Sequence, residues 1–340
     1  MSDPKKFDLN SFRPMPARIH AERDRRISQA ARALSYHNSY LDDLLRAILP
    51  HDLILLGAPT GLGKTDLALA IAMNNAMNER RVAYFALEAE ELELEMRTKF
   101  AWLSTQAWRR NIPRKGDLNY TDWYLGRCED IVGPELDAEA NQHFLAKLGG
   151  LRTFYRDLHF DKTNLRHAIE AIHSHVDLIV IDHLHYVDAE DGTDENRAAS
   201  DTVKTIRDIA LVIGKPILLV AHLRKKDPRA KQLVPTIDDF HGTSNITKIC
   251  TQAITIAPAG MLDLPEVKWY QAPTFVSVLK DRRAGAPPFV ALTYFDKRTR
   301  RYDDHYTLGR MTKGGTEWEQ IKAGDRPGWA IGHKQMEMEV

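Results

Sequence analysis

The chain has 340 residues, 43% hydrophobic and 28% charged, with 47 cationic and 47 anionic side chains that balance to a formal net charge of zero. Those proportions supply a substantial core, while neutrality argues against a protein that coats nucleic acid over its whole surface and leaves such binding to local basic loops. Only Cys128 and Cys250 are present, no run of about 18 apolar residues offers a membrane span, and Met1 to Asn10 lacks the apolar segment of a secretion signal, so a cytoplasmic protein is expected.

In chain order, Pro4, Pro14 and Pro16 among polar residues predict a flexible arm to about residue 17. Ala17 to Leu34 then predicts an amphipathic helix rich in Arg23, Arg25 and Arg26, read either as a solvated helix or as a linker that docks on a neighbouring subunit. A helix is expected over Leu41 to Leu49, and the apolar run Leu53 to Leu56 predicts a buried strand ending at Gly57. Asp66 to Met77 has helical periodicity. A second strand is expected over Arg81 to Leu87, with Glu88 at its end and a helix from Ala89 past Trp102. Residues 105–150 are polar and helix-prone in parts, and carry Trp108 and Trp123. Leu158 to Phe160 predicts a short strand and Asn164 to His173 a helix. Asp177 to Ile181 predicts a buried strand ending at Asp182, Asn196 to Ile213 a long helix, and Ile217 to Ala221 the next strand. Later strands are expected at Ala253 to Ile256, Phe275 to Leu279 and Phe289 to Phe295, and residues after about Asp304 read as loosely ordered. Strands alternating with helices predict an open, mostly parallel α/β sheet, and the closely spaced last strands predict an antiparallel extension.

The segment Ala58-Pro59-Thr60-Gly61-Leu62-Gly63-Lys64-Thr65 joins the first strand to the helix after it, the context in which a phosphate loop has meaning. Gly61 and Gly63 let the backbone wrap phosphate, and the helix N-terminus adds partial positive charge. Lys64 is placed to reach the β and γ phosphates, and the Thr65 hydroxyl to ligate Mg²⁺. The expected substrate is a nucleoside triphosphate, with ATP the first choice. The usual pattern opens with Gly, whereas this chain has Ala58, with Gly57 one place earlier.

Two carboxylates end apolar strands. Asp182 suits the Mg²⁺ shell. Glu88 suits a general base that polarises the attacking water, or a helix-start acid that favours the macrodipole. His222 ends the strand Ile217 to Ala221, where an imidazole can sense the γ phosphate or simply close a sheet edge. The same pair of readings applies to His183 and His185. A metal cluster of these two with His173 and His175 lacks an accompanying Cys or acidic ligand pattern.

The order of these motifs resembles the RecA-like motor domain of hexameric replicative helicases, the DnaB and bacteriophage T7 helicase–primase group that includes the mitochondrial helicase Twinkle. Leu53 to Thr65 looks like that group's first motif, in which Ala at the opening position is familiar. Tyr84 to Glu88 followed by Met96-Arg97 looks like the second, Val176 to Leu184 like the Walker B strand, and Ala221-His222-Leu223-Arg224 like the third. The resemblance covers about residues 35–304. It implies a RecA-like P-loop ATPase core over that span, preceded by an arm and linker helix (1–34) and followed by a loosely ordered tail (305–340). It makes Glu88 the catalytic base and His222 a sensor of the phage-like type. Leu279-Lys280-Asp281-Arg282 is similar to the segment carrying an Arg finger that enters a neighbour's site, so Lys280 and Arg282 are carried over on that match. Two departures stand out: the Gly pair before the first strand is missing from Leu45 to Pro50, and the usual Gln after Walker B is His185.

The function so implied is an ATP- and Mg²⁺-dependent DNA helicase or single-stranded DNA translocase, assembled as a ring, with a hexamer expected and a loader or replication or defence protein as further partner. Arg224, Lys225, Lys226, Arg229 and Lys231 form the expected contact with the DNA backbone. The acidic stretch Asp188 to Glu195 does not help that contact, and Gly242 to Asn245 is a second central-loop candidate. No primase or zinc-binding module precedes the motor in this sequence, which argues against a bifunctional helicase–primase. The alternative reading is an ATPase of the same fold that does not unwind, acting as a regulatory or assembly subunit of a recombination, plasmid, phage or defence complex.

Overall fold

The computed structural model describes residues 12, 14–156, 159–188, 195–224, 231–240, 244–262, 264 and 267–330. Two short helices, α1 (Met15–Ile19) and α2 (Glu22–Ala31), stand where one continuous helix was expected, divided at His20 and Ala21. Ile19 and Ile27 are exposed, and α2 buries no residue, so its apolar stripe is unfilled within the chain. α3 (Ser39–Leu45) starts where the Asn38 side chain accepts from the Leu41 N–H. It stops four residues before the expected end, because Arg46 turns to φ 70° and Ile48 pairs with Leu34 instead.

β1 (Leu53–Ala58) leads into α4 (Lys64–Met77), β2 (Val82–Ala86) and α5 (Glu93–Arg109). The stretch that reads as helix-prone in parts carries two helices after α5: α6 (Tyr120–Tyr124), capped by the Asn119 side chain, and α7 (Glu129–Lys147), interrupted at Gly133-Pro134. With α5 these helices bury a satellite cluster that includes Phe100, Leu103, Leu118, Cys128, Ile131 and Leu136. β3 (Leu151–Tyr155) precedes the place expected for a strand at 158–160. Residues 157 and 158 lie outside the described residues, and Phe160 is buried beside β3 through its ring contact with Phe154.

α8 (Lys162–Ile172), β4 (Leu178–Asp182), α9 (Glu195–Ile213) and β5 (Ile217–His222) follow in βα alternation. Then come α10 (Ser244–Ile249), β6 (Gln252–Pro258), β7 (Gln271–Asp281), β8 (Val290–Asp296) and β9 (Arg301–Tyr302). Residues 305–330, expected to be loosely ordered, carry β10 (Thr307–Thr312) and β11 (Glu317–Gln320), both joined to the sheet. Gly309 makes this possible, because the Trp318 ring of β11 lies against it and a Cβ there would fall 2.2 Å from that ring.

Among the described residues the strands form one sheet in the order β11-β10-β8-β7-β6-β1-β5-β4-β2-β3, with β9 paired to β8. From β6 to β3 neighbouring strands are parallel, and from β6 outward to β11 they are antiparallel. The expected α/β class and antiparallel extension are therefore both present, the extension being larger than the sequence pattern suggested. Alternation places Ile54, Leu56, Leu218 and Val220 in one core with α4, and Leu53, Leu55, Ile217 and Leu219 in the other with α8 and α9. Central strands covered on both faces read as unbroken apolar runs for this reason. Among the described residues no helix is long and apolar enough to cross a membrane.

Candidate functional site

The parallel strands β1, β2, β4 and β5 end on the same side of the sheet, where open α/β sheets collect ligand-binding groups. Ala58 is the last residue of β1. It is fully buried and registers opposite His222 of β5. An extended strand position accepts a methyl group, which explains how Ala replaces the usual Gly here. Gly57 carries the steric demand instead, since a Cβ on it would come within 2.4 Å of the Phe240 ring. The turn itself needs left-handed backbone at Gly61 (φ 84°) and Gly63 (φ 71°), and α4 begins directly after it at Lys64.

Residues Thr60 to Thr65 line a cavity of about 730 Å³, and Glu88, Asp182 and His222 face it from the ends of β2, β4 and β5. Its size is that of a small-molecule site. Ala58 and Pro59 lie outside its lining. Lys64 Nζ is 2.8 Å from His222 Nδ1. Burial lowers the Lys64 pKa, while the charges of Glu88 and Asp182 pull it back up. The cation is thus placed near two carboxylates and beside an imidazole.

Asp182 is 3% exposed. Its Oδ2 accepts from the Tyr84 hydroxyl at 2.8 Å. Its Oδ1 lies 3.1 Å from His183 Nδ1 but off the hydrogen-bonding direction, and so remains a buried acceptor without a donor. An unpaired carboxylate oxygen in the cavity that Thr65 also lines suits the water shell of a magnesium ion, so Thr65 and Asp182 fit the predicted metal.

Two features escaped the sequence reading. First, the end of β8 and the turn that follows it line the cavity with Phe295, Lys297 and Arg300. Arg300 forks onto the buried Asp66 carboxylate with two 2.9 Å bonds, and the Tyr302 hydroxyl donates to the Leu62 carbonyl. Burial pushes the Asp66 carboxyl upward, against the pull of Arg300 and Arg97. This clamp ties the start of α4 to a segment more than 200 residues away, and spacing alone gives no sign of it. Second, His183 sits between the two carboxylates, with Nε2 2.7 Å from Glu88 Oε2.

His173 and His175 precede β4, whereas His183 and His185 follow it, so these four do not form one cluster. Glu88, His183 and His222 do converge, with potential ligand atoms within 4.8 Å of one another, and Lys64 already brings a cation to His222.

The sequence candidates outside the cavity divide in two. Lys280 and Arg282 are at the opposite end of β7 from Ala272 and Thr274, which line the cavity. Lys280 Nζ donates to the Thr247 and Lys248 carbonyls at 2.7 and 2.9 Å, and the Arg282 N–H to the Thr251 carbonyl. These two residues are therefore not brought to their own chain's phosphate loop. Of the basic stretch, Arg224 and Lys231 are exposed, and Lys225, Lys226 and Arg229 lie outside the described residues. The same holds for residues 189–194 of the acidic stretch and for Gly242 and Thr243. Asp188 is anchored, accepting from the Phe160 N–H at 2.6 Å.

The sequence profile of the DnaB-like helicase C-terminal domain matches residues 33–304. A probable plasmid replicative DNA helicase from Chlamydia muridarum (strain MoPn / Nigg) is 24% identical over 204 residues, covering 57% of this chain and 40% of that protein. The replicative DNA helicase DnaB of Treponema pallidum (strain Nichols) is 36% identical over 99 residues, 29% of this chain and 22% of that one. The chain thus spans less than half the length of the curated relatives it matches. Among solved structures, one described as an ATPase domain superposes with a TM-score of 0.67 at 14% identity, covering 85% of this chain and 98% of that one. A DnaB-like replicative helicase, described with its interactions with primase, gives 0.65 at 14% identity over 86% and 67%. These likenesses show a RecA-like fold, and with the profile match over most of its length the chain belongs to the DnaB-like helicase C-terminal domain family.

Proposed function

We propose that the chain hydrolyses ATP with Mg²⁺ at the phosphate loop and uses that energy to move on DNA as a helicase or single-stranded DNA translocase. The observation that carries this reading is the convergence of Lys64, Glu88, Asp182 and His222 on one cavity from four adjacent strand ends. The amides at the start of α4 and the Lys64 ammonium hold the phosphates, while Thr65 and Asp182 hold the metal, which neutralises phosphate charge when bound. Glu88 takes a proton from the attacking water, and His222, already on Lys64, registers the γ phosphate. The exposed Arg224 stands two residues after His222, so a shift at the sensor is carried into the basic stretch that tracks the DNA backbone.

The placement of Lys280 and Arg282 favours a ring, with six subunits as the expected number. They are remote from the cavity of their own chain, so any contact with nucleotide is made on a neighbouring copy. An Arg finger of this kind is worth roughly 10³–10⁵ in rate. Arg282→Ala is therefore expected to bind ATP and assemble normally but to hydrolyse poorly. Mixing it with Lys64→Ala is expected to recover part of the activity, because some interfaces then pair an intact phosphate loop with an intact Arg282. Mixed assemblies that stay as inactive as either parent would remove Arg282 from the neighbour's site.

A further inference from the structure

Glu88 has little to hold it. Its side chain is 42% exposed, and it stands on the short connection between β2 and α5. A carboxylate so placed samples several rotamers, whereas a general base must meet its water in one geometry. The restraint comes from the turn after β4. His183 Nε2 lies 2.7 Å from Glu88 Oε2, and the Tyr186 hydroxyl donates to Glu88 Oε1 at 3.3 Å, so both carboxylate oxygens are engaged from one short segment.

That segment is itself fixed. His183 is 6% exposed and adopts φ 72°, ψ 75°, a left-handed conformation that aims its ring between Glu88 and Asp182. His, Asn and Asp enter this region more readily than other side chains. The Tyr186 ring packs edge-on against His183, and the Arg156 guanidinium lies 5.0 Å above it. Arg156 also donates to the Tyr186 carbonyl at 2.9 Å. The charge of Glu88 raises the Tyr186 pKa, which keeps the hydroxyl a donor.

We propose that His183 and Tyr186 are positioning residues that hold the Glu88 carboxylate in its working orientation within the cavity. This rests on the reading of Glu88 as the general base. Neither residue handles the reacting atoms; each acts through Glu88.

The test measures kcat, KM and single-turnover phosphate release for Tyr186→Phe, His183→Ala and His183→Asn, each alone and in a Glu88→Gln background. Misplacing a catalytic group by about 1 Å can cost about 100-fold. Tyr186→Phe is expected to lower kcat about tenfold and His183→Ala about 100-fold, with KM within about twofold. His183→Asn, which tolerates the left-handed backbone and keeps a polar amide, is expected to recover part of the loss. In the Glu88→Gln background both Tyr186→Phe and His183→Ala are expected to leave the residual rate within about twofold, because the group they position is gone. Tyr186→Phe removes one oxygen without touching the backbone, so it decides the matter even if His183→Ala fails to fold. Normal kcat in Tyr186→Phe, a KM rise matching the fall in kcat, or equal losses with and without Glu88 would each overturn the positioning role. If Glu88→Gln itself turns over normally, the general-base reading falls first and this proposal with it. An inactive Glu88→Gln beside a fully active Tyr186→Phe overturns the positioning role alone.

Discussion

Lys64→Ala is expected to lower ATP turnover by about 100-fold or more, with a parallel loss of nucleotide affinity, because it removes preorganised charge stabilisation from both the ground state and the transition state. The cation sits in a buried pocket beside Glu88 and Asp182, and its charge offsets theirs. Without it a polyphosphate would enter a cavity whose remaining charges near the loop include two carboxylates, and like charges repel more strongly where water is scarce. The substitution also frees His222 from its 2.8 Å contact with the ammonium. Isothermal titration with a non-hydrolysable ATP analogue, together with phosphate release, checks both effects. Near-normal turnover would refute the phosphate site.

Glu88→Gln separates binding from chemistry. Gln keeps the length of the side chain and an oxygen for the Tyr186 hydroxyl, but an amide cannot accept the proton of an attacking water. ATP affinity is expected to stay within about threefold, while cleavage falls by the roughly 10²–10⁴ that a positioned general base supplies. A single-turnover assay at saturating ATP measures the step directly. Unchanged cleavage would remove Glu88 as base, and a matching loss of affinity would make its role one of binding.

The strand ends were legible because the central sheet is covered on both faces. Leu53 to Leu56, Leu178 to Ile181 and Ile217 to Ala221 each show an unbroken apolar run, and Asp182, His222 and the loop from Thr60 line the cavity just beyond them. The edge elements gave weaker signals for a physical reason. β3 is covered by a neighbour on only one side, and its sequence Leu-Arg-Thr-Phe-Tyr mixes exposed and half-buried residues. β11 reads Glu-Trp-Glu-Gln, with one aromatic to announce it, and that residue finds its place against Gly309. Helices α5 to α7 bury their apolar residues against one another, so their pattern makes sense only once three segments are brought together.

The site divides in the same way. The strand-end residues proposed to carry the chemistry could be named from their positions, whereas the residues that touch them could not. The Arg300–Asp66 fork joins the second residue after Lys64 to a turn near the other end of the chain. Tyr84 looks like an ordinary strand aromatic until its hydroxyl is found on Asp182. His183 invited a reading as a metal ligand or a sheet-edge residue, and only its place between two carboxylates shows what it touches. Lys280 and Arg282 gain meaning from distance rather than contact, since the strand that carries them runs away from the cavity.

Hydrolysis at this loop is proposed to drive movement on DNA. Strand displacement on a forked duplex, measured beside ATP hydrolysis with and without single-stranded DNA, tests it most directly. DNA-stimulated hydrolysis is expected, with duplex separation that requires ATP and is lost in Glu88→Gln. Robust hydrolysis with neither DNA stimulation nor strand separation would contradict it and leave an ATPase that works by assembly alone.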